Sequence, residues 1–191
     1  STADRVRQTR AKLIRHEQNL GYCAAIRSAL KHCQSEIIIT LDADGQHKCS
    51  DVTRLLDVMN TTKADLVLGS RFKGIKRKNI YDVIVERIFS LLIYVTCGRW
   101  LSDCSCGLKA FRRSLAALMP PVHNRAGFHQ LICMVALRHR LRVIEIPITV
   151  TARKYGVSKV RKPSKIFLFI VQVVVQMLTY RGKKAVGSIM D

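Results

Sequence analysis

The chain has 191 residues, 48% of them hydrophobic and 24% charged, with 10 Gly and 4 Pro, a composition that excludes disordered, collagen-like and low-complexity classes. Lys and Arg number 33 against 13 Asp and Glu, so the net charge is +20, which points to a phosphate-rich partner: nucleic acid, an anionic membrane or a phosphorylated substrate. The 7 cysteines are odd in number and lack the two-residue gap of zinc or thioredoxin motifs, so they read as reduced thiols.

In chain order, apolar residues at Val6, Leu13 and Ile14, then Ala25, Ile26, Ala29 and Leu30, predict helices across residues 3–34, broken by a turn at Asn19-Leu-Gly21. Residues 36–42 form a short β-branched run ending in carboxylates, which predicts a buried parallel strand. Ser50 is expected to cap a helix over 51–60. Residues 64–72 predict a second strand, 73–78 a basic loop and 81–100 a long apolar helix. A third strand is expected within 105–112, followed by a helix to residue 119. A helix over 128–140 and a strand over 142–150 complete the alternation, which indicates an α/β domain.

The tail differs in composition. Residues 166–180 form an apolar run of 15, preceded by Lys159, Arg161, Lys162 and Lys165 and followed by Arg181, Lys183 and Lys184. As a helix it spans roughly 22 Å, short of the roughly 30 Å hydrocarbon core of a bilayer. A helix in the membrane interface, a buried helix and part of a transmembrane segment all remain open readings.

The sharpest motif is Thr40-Leu-Asp42-Ala-Asp44-Gly-Gln46-His47. Strand periodicity puts Asp42 and Asp44 on one side, where two like charges favour a cation between them. Hard oxygen ligands favour Mg²⁺ or Mn²⁺ over zinc, and Gly45 allows a turn that brings Gln46 to the same ion. The alternative is a solvated Asp-Gly turn, and His47 is either a further ligand or a loop histidine. An ion held there could neutralise charge on a departing diphosphate.

Five segments, in order over nearly the whole chain, resemble the family 2 inverting glycosyltransferases. They are His16-Glu-x-Asn19-x-Gly21 with Ala25-Ile-Arg27; Leu41-Asp42-Ala-Asp44-Gly-Gln46-His47; Asp65-Leu-Val-x-Gly69-Ser70-Arg71-Phe72; Asp103-x-Ser105-x-Gly107-x-Lys109-Ala-Phe111-Arg112; and Glu145-x-Pro147-Ile148 with Arg153-x-x-Gly156-x-Ser158-Lys159. The likeness is greatest to the polyprenyl-phosphate sugar synthase branch, which includes dolichyl-phosphate mannose synthase. It implies an α/β GT-A fold, Rossmann-like, with a mixed sheet and flanking helices, here lacking the family's first two strands. The expected division is a partial catalytic domain over 1–158 and a basic, apolar membrane-interface tail over 159–191, in a chain truncated at its N-terminus.

The same resemblance implies the site. Asp42, Asp44 and Gln46 would hold Mg²⁺ or Mn²⁺ on the donor diphosphate. Gly21, Arg27 and Asp42 would bind the donor, and Arg71, Ser90 and Arg153 the acceptor phosphate. Asp44 and Arg71 would be the catalytic residues, with Lys159 assisting and Arg87 near a family arginine one residue out of register. The expected partners are a nucleoside-diphosphate sugar, a polyprenyl phosphate and a membrane surface, at the cytoplasmic face of a membrane and peripheral to it. Nucleic acid is not expected, because only 6% of residues are aromatic and no nucleic-acid motif is present. The stretch Ala126-Gly-Phe128-His129-Gln130 falls where family members acting on hydroxyls carry an acidic base. Its lack of a carboxylate favours a phosphate acceptor, which needs no base, although His129 is available as one. The rival expectations are a non-catalytic membrane-associated remnant and a transferase acting on a sugar hydroxyl.

Overall fold

The structure is a computed structural model and describes residues 2–73, 80–120, 127–151 and 163–180. Its centre is a mixed four-stranded sheet in the order β1-β3-β2-β4, built from β1 (Ile37–Thr40), β2 (Leu66–Ser70), β3 (Lys109–Arg112) and β4 (Val143–Pro147). β2 and β4 run parallel, and β3 is antiparallel to both β1 and β2.

Period two divides the strand side chains between two cores. Ile38, Leu66, Leu68, Phe111 and Val143 join a cluster with Phe89, Ile93 and the helix residues 131–136, while Val67, Ala110 and Ile146 pack with Leu55 and Met59 on the other face. Covered on both faces, all five residues of β2 are buried. β1 departs from expectation. It is an edge strand, and its partner among the described residues is the antiparallel β3, which inserts between β1 and β2. Its burial alternates accordingly rather than being complete.

The helices also depart from the sequence reading at their ends. The first, α1, spans only Thr2–Arg7. The Thr9 hydroxyl donates to Val6 O at 2.8 Å and accepts from Ala11 N at 3.1 Å, a local turn that competes with further helix. Leu13 and Ile14 are exposed and give a longer helix nothing to pack against. α2 (Tyr22–His32) starts after Gly21, whose φ of 88° favours glycine, and Asn19 Oδ1 accepts from Gly21 N at 2.9 Å, so the expected turn is present. α3 (Cys49–Thr62) begins before Ser50. Its N-cap is Lys48, with no side-chain cap bond, so the expected serine cap is not formed.

α4 (Ile80–Cys97) ends at Gly98, whose φ is 72° and whose N–H donates to Tyr94 O at 2.8 Å, a glycine helix stop. α5 is Arg113–Ala117 and α6 is Phe128–Arg138, with eight of its eleven residues buried. α6 packs against both α4 and α7 (Pro163–Thr179). The described part of the tail therefore shares the main core, through Val173, Met177 and Tyr180. Arg138 lies 5.6 Å from the Tyr180 ring centroid, and His139 Nε2 is 3.0 Å from the Tyr180 hydroxyl. No helix among the described residues is long and apolar enough to cross a membrane. All seven cysteines are free thiols.

Candidate functional site

Past the end of β1 the chain leaves the strand and turns at residues 43–45, with Asp42, Asp44 and Gln46 half-buried and Leu41, Ala43 and Gly45 exposed. Gly45 turns the chain with φ 74°, and Asp44 Oδ1 accepts from Gln46 N at 3.1 Å. The loop is tied to the end of β4. His47 bridges Val150, Thr151 N donates to Gln46 O at 2.9 Å, and the Gln46 side-chain amide donates to Thr151 O at 3.3 Å.

The donor set suits a hard divalent cation. Asp42 forms no ion pair with a described residue. No cluster of three His, Cys, Asp or Glu side chains capable of holding a metal occurs among the described residues. Burial lowers the pKa of His47, against the opposing pull of Asp42 and Asp44.

Asp42 rests directly on Gly107. A Cβ built on Gly107 would lie 2.2 Å from Asp42 Oδ2 and 2.6 Å from its Cγ. The Thr40 hydroxyl donates to Gly107 O at 2.8 Å, tying β1 to the same loop. That loop, residues 102–107, is held from beneath by buried charges. Glu86 on α4 accepts from Cys104 N at 2.6 Å and Ser105 N at 3.3 Å, and Glu145 on β4 accepts from Ser102 N at 2.8 Å. The fully buried Lys109 ammonium donates to Cys104 O at 3.1 Å and Cys106 O at 2.6 Å. Gln130 on α6 donates to Ser105 Oγ at 2.8 Å. Burial, with the Asp103 charge adding to it, raises the pKa of Glu86. Burial also pushes the Cys106 thiol up to about 11, which makes it an inert packing group.

Arg71, at the end of β2, is engaged by the same loop. Its Nε and Nη2 donate to the two oxygens of Asp103 at 2.7 and 2.8 Å, and its backbone N–H donates to Oδ2 at 2.8 Å. Burial alone would raise the Asp103 pKa, but the Arg71 hydrogen bonds and charge outweigh it and hold the carboxyl below the usual range. Arg71, expected from the sequence to bind acceptor phosphate, thus has one face of its fork committed to Asp103.

The other expected residues are placed as follows. Gly21 is the N-cap of α2, and Arg27 lies half-buried on that helix. Ser90 is wholly inside, one turn along α4 from Glu86, with its Oγ unbonded among the described residues, so it is not presented at the surface. Arg87 points outward, 5.6 Å from the Trp100 ring centroid, so these two α4 residues face different ways. Arg153, Gly156, Ser158 and Lys159 lie outside the described residues, as does most of the basic loop after Lys73. Asp103, Gly107, Lys109 and Glu145 fall in segments that carry the family resemblance, but neither they nor Glu86 are expected from the sequence to have a role in the site. Besides those segments, a lone glutamate on an apolar helix and a lysine within a strand are signals, since buried charges need partners.

A carboxylate pair at the tip of a strand in a mixed sheet covered by helices defines a GT-A type of architecture, and comparison bears this out. Glucosyl-3-phosphoglycerate synthase from Mycobacterium tuberculosis, in complex with phosphoglyceric acid, matches with a TM-score of 0.62 at 14% identity, over 87% of this chain and 56% of that one. The same enzyme with Mn²⁺, UDP-glucose and phosphoglyceric acid gives 0.62 at 15% identity, again over 87% of this chain and 56% of that one. At that identity the likeness shows the fold alone. An undecaprenyl-phosphate 4-deoxy-4-formamido-L-arabinose transferase of Salmonella paratyphi B is 34% identical over 146 residues, 74% of this chain and 42% of its own length. The Salmonella newport counterpart gives the same figures. Residues 1–118 match Glycosyl transferase family 2. The chain belongs to that family, and spans less than half the length of the curated relatives it matches.

Proposed function

We propose that the chain carries the catalytic machinery of a metal-dependent, inverting transferase that moves a sugar from a nucleoside diphosphate to a polyprenyl phosphate. The observation that carries this reading is the Asp42 carboxylate lying across Gly107, with Asp44 half-buried in the turn two residues on. Similarity to undecaprenyl-phosphate sugar transferases supports the acceptor class. Asp42 and Asp44 would hold Mg²⁺ or Mn²⁺, with Gln46 alongside, and the bound ion would offset charge on the leaving diphosphate. An acceptor phosphate oxygen forms a bond to the anomeric carbon as the bond to the diphosphate breaks, in one displacement with inversion. Arg71 Nη1, outside the Asp103 pair, is the guanidinium group left to meet a phosphate, with Arg153 as its expected companion.

The phosphate acceptor also agrees with His129. Burial, with Lys109, Arg71 and His47 nearby, lowers its pKa well below the ordinary histidine value, which makes it a weak base. A phosphate needs none. Replacing Asp44 by Asn is expected to weaken Mn²⁺-dependent binding of UDP at least tenfold, read by calorimetry with and without the metal. Equal UDP binding by the variant and the wild type would overturn the assignment.

A lipid acceptor places the site at a membrane. Ile84, Ile88, Leu91 and Val95 form an exposed stripe along α4, with Tyr94 and Trp100 exposed beside it. Val171, Val175 and Leu178 form another on α7, which also packs on α6. Apolar stripes bordered by aromatic and basic side chains suit an anionic membrane surface. The double variant Leu91→Glu/Val95→Glu is expected to lose most of its cosedimentation with phosphatidylglycerol-containing vesicles while keeping its thermal midpoint. Undiminished cosedimentation would exclude α4 as the contact.

A further inference from the structure

Tyr22 and His129 are 107 positions apart in sequence and are hydrogen-bonded, with the Tyr22 hydroxyl 2.6 Å from His129 Nε2. Tyr22 opens α2 immediately after the Gly21 turn, and His129 lies in the first turn of α6. The two rings are tilted at 45° with centroids 5.5 Å apart. Behind them, His129 meets Phe128 edge-on at 5.5 Å, and Phe128 meets Phe111 of β3 at 6.1 Å. An aromatic series therefore runs from the buried sheet out to Tyr22, which is 46% exposed.

The pair lies within electrostatic reach of both halves of the site. The Asp42 charge adds to burial in raising the Tyr22 pKa, so the phenol remains protonated. Lys109, Arg71 and His47 add to burial in keeping His129 neutral.

His129 Nδ1 is buried and has no hydrogen-bond partner among the described residues. Orphaned N–H donors are rarer in proteins than under-used acceptors, so the proton belongs on Nε2. That tautomer donates to the Tyr22 oxygen and leaves the Tyr22 O–H free to donate outward.

An exposed aromatic face carrying a fixed, neutral hydroxyl donor beside a cation site suits a ligand that is uncharged, polyhydroxylated and attached to a diphosphate. We propose that Tyr22 reads the sugar of the donor, its ring against the sugar's C–H face and its hydroxyl to a sugar hydroxyl, with His129 as the positioning residue that aims it. This rests on the transferase reading and adds a contact that selects the sugar.

The test compares each nucleotide sugar with its own diphosphate, by calorimetry on this chain in Mn²⁺. The probes are UDP-glucose, UDP-galactose, UDP-N-acetylglucosamine and GDP-mannose against UDP and GDP. For the probe that gains most from its sugar, Tyr22→Phe is expected to remove about fivefold of that gain and leave diphosphate affinity within about twofold, the scale of one hydrogen bond. His129→Ala is expected to behave alike, and the double variant to be no weaker than Tyr22→Phe alone, because the two act as one unit. An intact sugar gain in Tyr22→Phe, additive losses, equal loss of sugar and diphosphate binding, or no gain from any sugar in the wild type would each overturn the proposal while leaving the transferase reading in place. Failure of the wild type to bind either diphosphate would overturn both.

Discussion

Replacing Gly107 by alanine is expected to leave the chain folded and to abolish Mn²⁺-dependent diphosphate binding. The added Cβ would lie 2.2, 2.6 and 2.9 Å from Asp42 Oδ2, Cγ and Oδ1, distances no real methyl tolerates. Gly107 is not among the glycines with positive φ, so alanine introduces no backbone strain there. What must yield is the end of a half-buried side chain, which can swing towards solvent at little cost to the fold. The loss falls on function, because one of the two carboxylates leaves its place. A thermal midpoint within about 3 °C of wild type is expected, since a surface rearrangement of this kind costs within about 0.5 kcal/mol. UDP affinity in Mn²⁺ should fall at least tenfold, to the level of the same protein without metal. Retained Mn²⁺-dependent binding would show that the ion does not need Asp42 where the structure puts it, and would remove the central support for the transferase reading.

How far the molecule is legible in its sequence depends on whether the deciding contact is local. β2 falls within the strand expected over 64–72, where Leu66-Val-Leu supplies the apolar signal, while the burial of Ser70 carries none. Strand alternation, from which the sequence pairs Asp42 with Asp44, stops at Thr40, because the chain turns at residues 43–45. α1 stops early because the Thr9 hydroxyl offers the chain a different local bond, a competition that apolar spacing does not record. The antiparallel pairing of β1 is fixed by β3, some seventy residues later in the chain, and nothing within Ile37–Thr40 encodes it. The floor of the site is least legible. Arg71 meets Asp103 across 32 positions and Tyr22 meets His129 across 107, with no period linking them. Sequence could indicate that Glu86 needs a partner, but only the fold shows that Cys104 N and Ser105 N supply it. The tail divides along the same line. Its apolar spacing predicts a helix, and the docking of Val173, Met177 and Tyr180 is visible only once α6 is in place.

Asp103→Ala is expected to be the most destabilising single change in the site. Asp103 is wholly buried and accepts three hydrogen bonds from Arg71, two from the guanidinium and one from the backbone. Removing it leaves Arg71 without its partner and puts Lys109 in a network that has lost a carboxylate. Arg71 is one-third exposed, so water recovers part of the loss, and the cost belongs at the low end of the range for a broken buried pair, about 3 kcal/mol. For a chain of this length that lowers the thermal midpoint by roughly 6–12 °C at pH 7. The pH dependence provides an independent check. The Asp103 pKa is lowered on folding from 3.8, so its contribution is complete above that value and is lost as pH falls through the folded-state pKa. Glu86 runs the other way. Its pKa is raised from 4.5, so its contribution is complete below that value and declines as pH rises through the folded-state pKa. Thermal melts of wild type and Asp103→Ala should therefore differ most near neutrality and converge below about pH 4, where protonation removes from the wild type what the substitution removes from the variant. A gap that stays constant down to pH 3 would mean the loss is one of packing, and that the Arg71 pair does not hold the loop on which Asp42 rests.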